Sequence, residues 1–265
     1  MARRTRHEAL EEDDSYFVSM TDLMVGLLFI FIIMLMVFAL QYRQAEEEKQ
    51  QTTDRLQQTT DRLQNSEEVR DNILDSLQRY LKDHGITVEI VKDQGILRLP
   101  EEILFDKASA DVNQKGEKAI AILADALDQV LPCFTLGERT TLVTDCPAKR
   151  ATIDSIFIEG HTDSDRLTPR LGMFDNFDLS AIRATNTYRT LIEKRTGLTT
   201  FLNNNAVPVL SVSGYGPSRP AEPDQSNEAK KSLNRRIDLR ILMSTPRSED
   251  ASRFEQEVKK EMSRP

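Results

Sequence analysis

The chain is 265 residues long, with a net charge of −8 and a pI near 5.1. That acidic balance excludes a general nucleic-acid surface, which needs a basic face, and the ordinary Gly and Pro content excludes collagen-like and globally disordered classes. The length leaves room for one soluble domain of ordinary size plus linkers.

Residues 1–15, MARRTRHEALEEDDS, carry charges of both signs and read as a short tail. Residues 16–41 read as a transmembrane helix, and its stretch 23–40 holds 18 residues without a charge. At a rise of ~1.5 Å per residue, residues 16–40 cover roughly 38 Å, enough to cross a bilayer with some tilt. Val37-Phe38-Ala39 offers a cleavage-like site, but the run is longer than a usual signal-peptide core and holds an Asp, which favours an uncleaved anchor.

That Asp is Asp22, flanked by Ser19 and Thr21. A carboxylate at the centre of a membrane helix costs about 2.5–3.5 kcal/mol, less near an interface, and marks a functional position by default. One reading makes Asp22 the last interfacial residue before a span starting at Leu23. The other makes it a carboxylate that takes up and releases a cation, because Tyr16, Phe17, Val18 and Met20 continue the apolar character on its N-terminal side. Basic residues do not orient the span: Arg3, Arg4 and Arg6 precede it, and Arg43, Lys49 and Arg55 follow it. Cys133 and Cys146, the two cysteines, both follow the span. They fit either a disulfide, which needs an oxidising compartment, or two free thiols in a reducing one.

Residues 42–84 contain no Gly or Pro and favour helix. The string QQTTDRL occurs twice in succession, at 50–56 and 57–63. This heptad puts Leu56, Leu63 and Leu77 in one register, which predicts a helical spacer and a thin dimeric coiled-coil seam; a flexible polar linker is the alternative. From 85 to 243 the alternating runs at 86–91 and 96–99 predict a hairpin. A helix is predicted from Asn113, with Ala119, Ile122, Leu123, Ala126, Leu127 and Val130 on its apolar face. A strand at 153–159, a helix at 179–195 and strands at 209–212 and 236–242 follow, with 132–152 as an inserted loop. The order predicts an α+β fold with helices on one sheet face, and residues 244–265 read as a polar tail.

The start of the span, Ser19-Met20-Thr21-Asp22-Leu23-Met24, resembles the B subunits of ion-driven rotary motors, the MotB type, and within them the ZorB branch of Zorya anti-phage systems. Residues 104–242 resemble the OmpA-like peptidoglycan-binding domain through five ordered blocks: LFDKASADV, IEGHTD, NFDLSAIRA, Gly214-Tyr215-Gly216 and Asn234-Arg235-Arg236. The resemblance implies that Asp22 carries a proton or, less favoured, sodium, with Ser19 and Thr21 as auxiliary oxygens. It also implies that Asp163 and Arg183 hold the diaminopimelate unit of a wall peptide. Asn176, Leu179, Asn234, Arg235 and Arg236 would complete or flank that pocket.

The chemistry agrees: an Asp takes an ammonium and a guanidinium takes a carboxylate. The gap between Asp163 and Asn176 is longer than the resemblance suggests, which leaves a covered pocket or a changed ligand open. The implied partners are a multi-span A-type subunit (ZorA- or MotA-like), a second copy of the chain and peptidoglycan. The implied site of action is the bacterial inner membrane, with the N-terminus cytoplasmic and the C-terminal domain periplasmic. No resident cofactor is expected. His161, Asp163 and Asp165 lack the second His or Cys cluster that a metal site needs. No nucleophile elbow, HExxH or phosphate-cradling Gly loop points to an enzyme. A flagellar-type subunit and a passive wall tether without transport are the competing readings.

Overall fold

The computed structural model describes residues 5–106, 109–137, 146, 151–169 and 173–245, with side chains from residue 20 onward. The chain divides into two units, residues 1–59 and 60–265.

The first unit is helical. Helix α1 (Thr5–Asp83) begins in the segment expected to be a tail and continues without a break through the apolar run and the spacer. The large apolar side chains from Leu23 to Leu40 stand 46–69% exposed, and the helix is long and apolar enough to cross a membrane. Each such side chain gains roughly 1.5–3 kcal/mol on leaving water, so this surface needs an apolar surrounding. In the polar part, Thr52, Thr53 and Thr59 donate their hydroxyls to the carbonyls four residues back. Leu56 remains exposed.

The second unit takes up the end of α1. Val69, Ile73, Leu74, Leu77 and Leu81 form a helical stripe, all at most 3% exposed and part of the main core. The folded domain therefore starts within the helix, ahead of the boundary expected at 85. Leu77 packs in its own core instead of on a coil seam. The helix stops in a Schellman turn: the Gly85 and Ile86 amides donate to the Lys82 and Leu81 carbonyls at 3.0 and 2.9 Å, with Gly85 at φ 80°. Buried Ile86 and Leu81 supply the apolar contact of that motif.

Strands β1 (Glu89–Val91), β2 (Ile96–Pro100), β3 (Ile153–His161), β4 (Leu210–Gly214) and β5 (Arg236–Met243) form one sheet in the order β1-β2-β5-β3-β4. All pairs are antiparallel except β3 with β4. Helices α2 (Glu101–Leu104), α3 (Gln114–Val130), α4 (Asn176–Lys194) and α5 (Glu228–Ser232) complete the domain. Asn113 caps α3, its side chain accepting from the Gly116 amide; Asp175 caps α4, accepting from the Phe177 and Asp178 amides. Leu97, Leu99, Ile156, Ile158, Ile237, Leu239 and Ile241 share the face that joins the core with α1, α3 and α4. The α3 face differs slightly from expectation, since Ile120 and Ala124 are fully buried while Ile122 and Val130 are only partly so. Cys133 and Cys146 are joined as a disulfide with Cα atoms 5.3 Å apart; most of the loop expected at 132–152 lies outside the described residues.

The helix layer touches the sheet most closely at two paired glycines. Gly160 on β3 faces Gly214 on β4. A Cβ on Gly160 would sit 2.0 Å from the Ser180 carbonyl oxygen, and one on Gly214 2.6 Å from the Ala181 nitrogen. Only glycine lets the α4 backbone rest there.

The opposite sheet face carries charge. Arg240 holds Glu159 through two bonds of 2.9 Å. Arg98 and Arg236 hold the two oxygens of fully buried Asp238 at 3.1 and 2.9 Å. His161, 1% exposed, stacks on Tyr215 and places Nε2 3.6 Å from Asp238 and 3.8 Å from Glu159. Burial alone would push the Glu159 carboxyl up; the His161 imidazole and the Arg240 guanidinium outweigh it and hold it at about 2, against an ordinary 4.5. On geometry the bidentate Arg240 contact is the stronger of the two. Burial pushes the His161 imidazole down from 6.5.

Two outcomes follow from this packing. Gly160→Ala should destabilise the domain by about 2 kcal/mol or more, because the clash is with backbone, and should lower the melting temperature by roughly 4–8 °C. A variant as stable as the parent would mean that α4 does not rest on β3. Both shifts on the charged face are downward, so both remove stability as pH falls. His161 contributes below pH 6.5, where the unfolded chain takes up a proton that the fold resists. Glu159 contributes from 4.5 down to about 2. Melting curves across that range should therefore decline in two stages, and His161→Gln should remove the upper stage; an unchanged upper stage would place its origin elsewhere.

Candidate functional site

The site lies where the end of β3, the start of α4 and the turn entering β5 converge. A cavity of about 210 Å³ opens there, lined by Asp163, Asn176, Leu179, Arg183, Arg235 and Glu101, with Thr162, Asp165, Arg166, Leu167 and Thr168 from the loop after β3. Asn176, Leu179 and Arg183 come from successive turns of α4, at the three- and four-residue spacing that puts side chains on one helical face. The glycine contact sets the level of that face against β3.

Charge organises the cavity. Arg183 is 2% exposed. Its Nε donates to the Ser109 carbonyl at 2.7 Å, its Nη2 bonds Glu101 Oε1, and its guanidinium lies 5.1 Å from the centre of the Phe105 ring. Nη1 has no partner among the described residues. Arg235 is ringed by carboxylates: Nε to Glu101 Oε2 at 2.6 Å, Nη1 to Asp163 Oδ2 at 2.6 Å and Nη2 to Glu228 Oε1 at 2.8 Å. Burial pulls the Arg183 guanidinium down, with Glu101 opposing. For Arg235 burial also pulls down, but the Asp163 bond and the surrounding carboxylates outweigh it and raise the value.

The loop between Asp163 and Asn176 is tied in place. Asn176 Nδ2 donates to the Asp165 carbonyl at 2.8 Å and the Asp163 carbonyl at 3.3 Å. The Asp165 amide donates to Asp163 Oδ1 at 3.1 Å, and Lys231 Nζ bonds Asp165 Oδ1 at 2.6 Å. The long insertion thus supplies one wall of the cavity through Arg166, Leu167 and Thr168; residues 170–172 lie outside the described residues.

The residues expected at the site divide. Asp163, Asn176, Leu179, Arg183 and Arg235 line the cavity. Asn234 is fully buried and holds the Glu222 backbone through both its amide oxygen and its amide nitrogen. Arg236 turns to Asp238 and the Arg219 carbonyl, and lines a second cavity of about 240 Å³. Glu101 was not anticipated. It stands in an unremarkable Pro-Glu-Glu start to a short helix, and its partner Arg183 lies 82 residues away.

Among the described residues, the group whose ligand atoms converge is Glu159, His161 and Asp238. Arg98, Arg236 and Arg240 already occupy the carboxylates there, and an incoming cation would face three guanidinium groups. Neither Cys133 nor Cys146 lines the cavity. In α1, Thr21 and Asp22 are exposed, and the Ser19 side chain lies outside the described residues.

No protein-family model matches the chain, and no curated protein matches it. Several solved structures are similar. A MotB-like protein from Desulfovibrio vulgaris is 20% identical with a TM-score of 0.49, covering 67% of this chain and 96% of its own. The periplasmic domain of Helicobacter pylori MotB is 25% identical with a TM-score of 0.43, covering 66% and 98%. The cell wall anchor of the type VI secretion system from Pseudomonas aeruginosa is 21% identical with a TM-score of 0.44, covering 63% and 97%.

Proposed function

We propose that the chain is the wall-anchored B-type subunit of an ion-driven rotary membrane motor. The observation that carries the anchoring half is the meeting of Asp163 and Arg183 in one cavity. A diaminopimelate end presents an ammonium beside a carboxylate. Asp163 suits the first, and Arg183, whose buried guanidinium has no partner for Nη1 among the described residues, suits the second. Asn176 and Leu179 shape the wall of the pocket.

The motor half rests on the apolar run of α1 and the single carboxylate at its N-terminal end. In this reading the span crosses the inner membrane once, with the N-terminus cytoplasmic and the domain periplasmic, where a disulfide persists. Two copies present two Asp22 carboxylates to a multi-span A-type partner. Each proton that crosses 100 mV releases about 2.3 kcal/mol, and loading removes the charge of Asp22, changing its contacts with the partner. Ser19 and Thr21 serve as auxiliary oxygens. Service in anti-phage defence, as in Zorya systems, rests on the likeness of the span to ZorB.

Two measurements test the two halves separately. Asp22→Asn in the assembled complex should abolish ion-driven activity while leaving assembly and wall binding intact; full activity would leave only a tether. Arg183→Ala in the full chain should cut co-sedimentation with purified peptidoglycan at least tenfold, and Asp163→Asn severalfold. Undiminished sedimentation of both would remove the cavity from wall binding.

A further inference from the structure

Glu101 has the most connected position in the cavity. Its two oxygens go to different guanidinium groups, Oε1 to Arg183 and Oε2 to Arg235. It is 8% exposed, and its backbone amide donates to the Arg235 carbonyl at 3.0 Å, so its place is fixed from the main chain as well. It also lines the second cavity together with Arg235.

The charges around it are unequal. Arg235 touches three carboxylates, Glu101, Asp163 and Glu228. Arg183 touches one, Glu101. Inside the cavity the two guanidinium groups are balanced by the Glu101 and Asp163 carboxylates, with Glu228 on Arg235 outside it, and the loop adds one charge of each sign, Arg166 and Asp165, so the site has no net attraction for a simple anion. Burying an unpaired charge costs several kcal/mol. An incoming carboxylate on Arg183 is tolerated only if it brings a cation of its own for the carboxylate cluster.

We propose that Glu101 is a specificity-determining residue: it makes the cavity accept a zwitterion and reject a plain carboxylate. The ligand's carboxylate takes the open Nη1 of Arg183, its ammonium settles against Asp163, and Glu101 keeps the second guanidinium from recruiting anions of the same length. This rests on the wall-peptide reading above and adds the basis of its selectivity. Without Glu101 the two guanidinium groups would outnumber the carboxylates that face them inside the cavity, and the ammonium would no longer be required.

The test compares two probes with the same seven-carbon chain, diaminopimelate and pimelate, titrated by calorimetry against the full chain in detergent. The parent should bind diaminopimelate and prefer it over pimelate by at least tenfold. Glu101→Gln, which keeps shape and hydrogen bonding, should bind pimelate at least tenfold more tightly than the parent does and compress the preference towards one. Glu101→Asp, which restores the charge, should recover it; a purely structural role would instead weaken both probes alike. If the parent prefers diaminopimelate and Glu101→Gln prefers it equally, Glu101 does not set selectivity and the wall-peptide reading survives. If the parent binds no diaminopimelate, that reading falls and the role of Glu101 falls with it. Should Glu101→Gln fail to fold, Glu101→Asp decides: a lost preference in a folded protein that retains the charge overturns the proposal.

Discussion

The site depends on a contact that involves no charge. Where Gly160 and Gly214 lie side by side, the backbone of α4 rests on the sheet with no side chain between. Ser180, at that contact, fastens it: its hydroxyl donates to the Phe177 carbonyl and accepts from the Gly216 amide, both at 2.9 Å. Leu179 and Arg183 flank the contact on the same helix. Their level relative to Asp163, two residues beyond the end of β3, is thereby set by backbone geometry. A helix lifted by even one methyl group would stretch the bonds of 2.7 and 2.8 Å that Arg183 and Asn176 make from it, which act only over such distances.

Above this contact the domain sorts its arginines into two systems. Arg98, Arg236 and Arg240 hold Glu89, Asp238 and Glu159 on a sheet face where Arg98 stands directly across from both Glu89 and Asp238. Arg183 and Arg235 belong to the cavity. Arg235 and Arg236 are neighbours in the chain, yet Arg235 pairs with Glu101, Asp163 and Glu228 while Arg236 pairs with Asp238. The first system is closed: each of its carboxylates is already held by guanidinium groups. The second keeps, among the described residues, an unpartnered donor on Arg183 and an open volume beside it. That difference separates a structural charge network from one that can take a ligand.

Much of the architecture was legible because its signals are local. Alternation located the strands, Asn113 marked the start of α3, and the blocks containing Asp163 and Arg183 could be placed by resemblance. Three features were not legible, each for a physical reason. The domain's core begins at Val69 because the last turns of a polar helix carry a buried stripe, and a stripe inside an uninterrupted helix gives no boundary signal. Asn234 and Arg236 sit in the right sequence block, but the block folds with those side chains turned away from the cavity. Glu101 is set only by long-range contact, so no neighbouring residue announces it.

The same stripe sets how the end of α1 is joined to the domain. Val69, Ile73, Leu74, Leu77 and Leu81 are each all but inaccessible to water. At roughly 1.5–3 kcal/mol per buried side chain, stripping this stretch from the core costs on the order of 10 kcal/mol, comparable to the whole stability of an ordinary domain. The end of α1 therefore cannot peel away while the rest stays folded; it belongs to the same cooperative unit as the sheet and the cavity. A flexible linker joined to the domain at 85 would let tension extend the chain before it reached the fold. With the junction inside the core, tension on the helix is resisted at once by the packing that also holds α3 and the sheet.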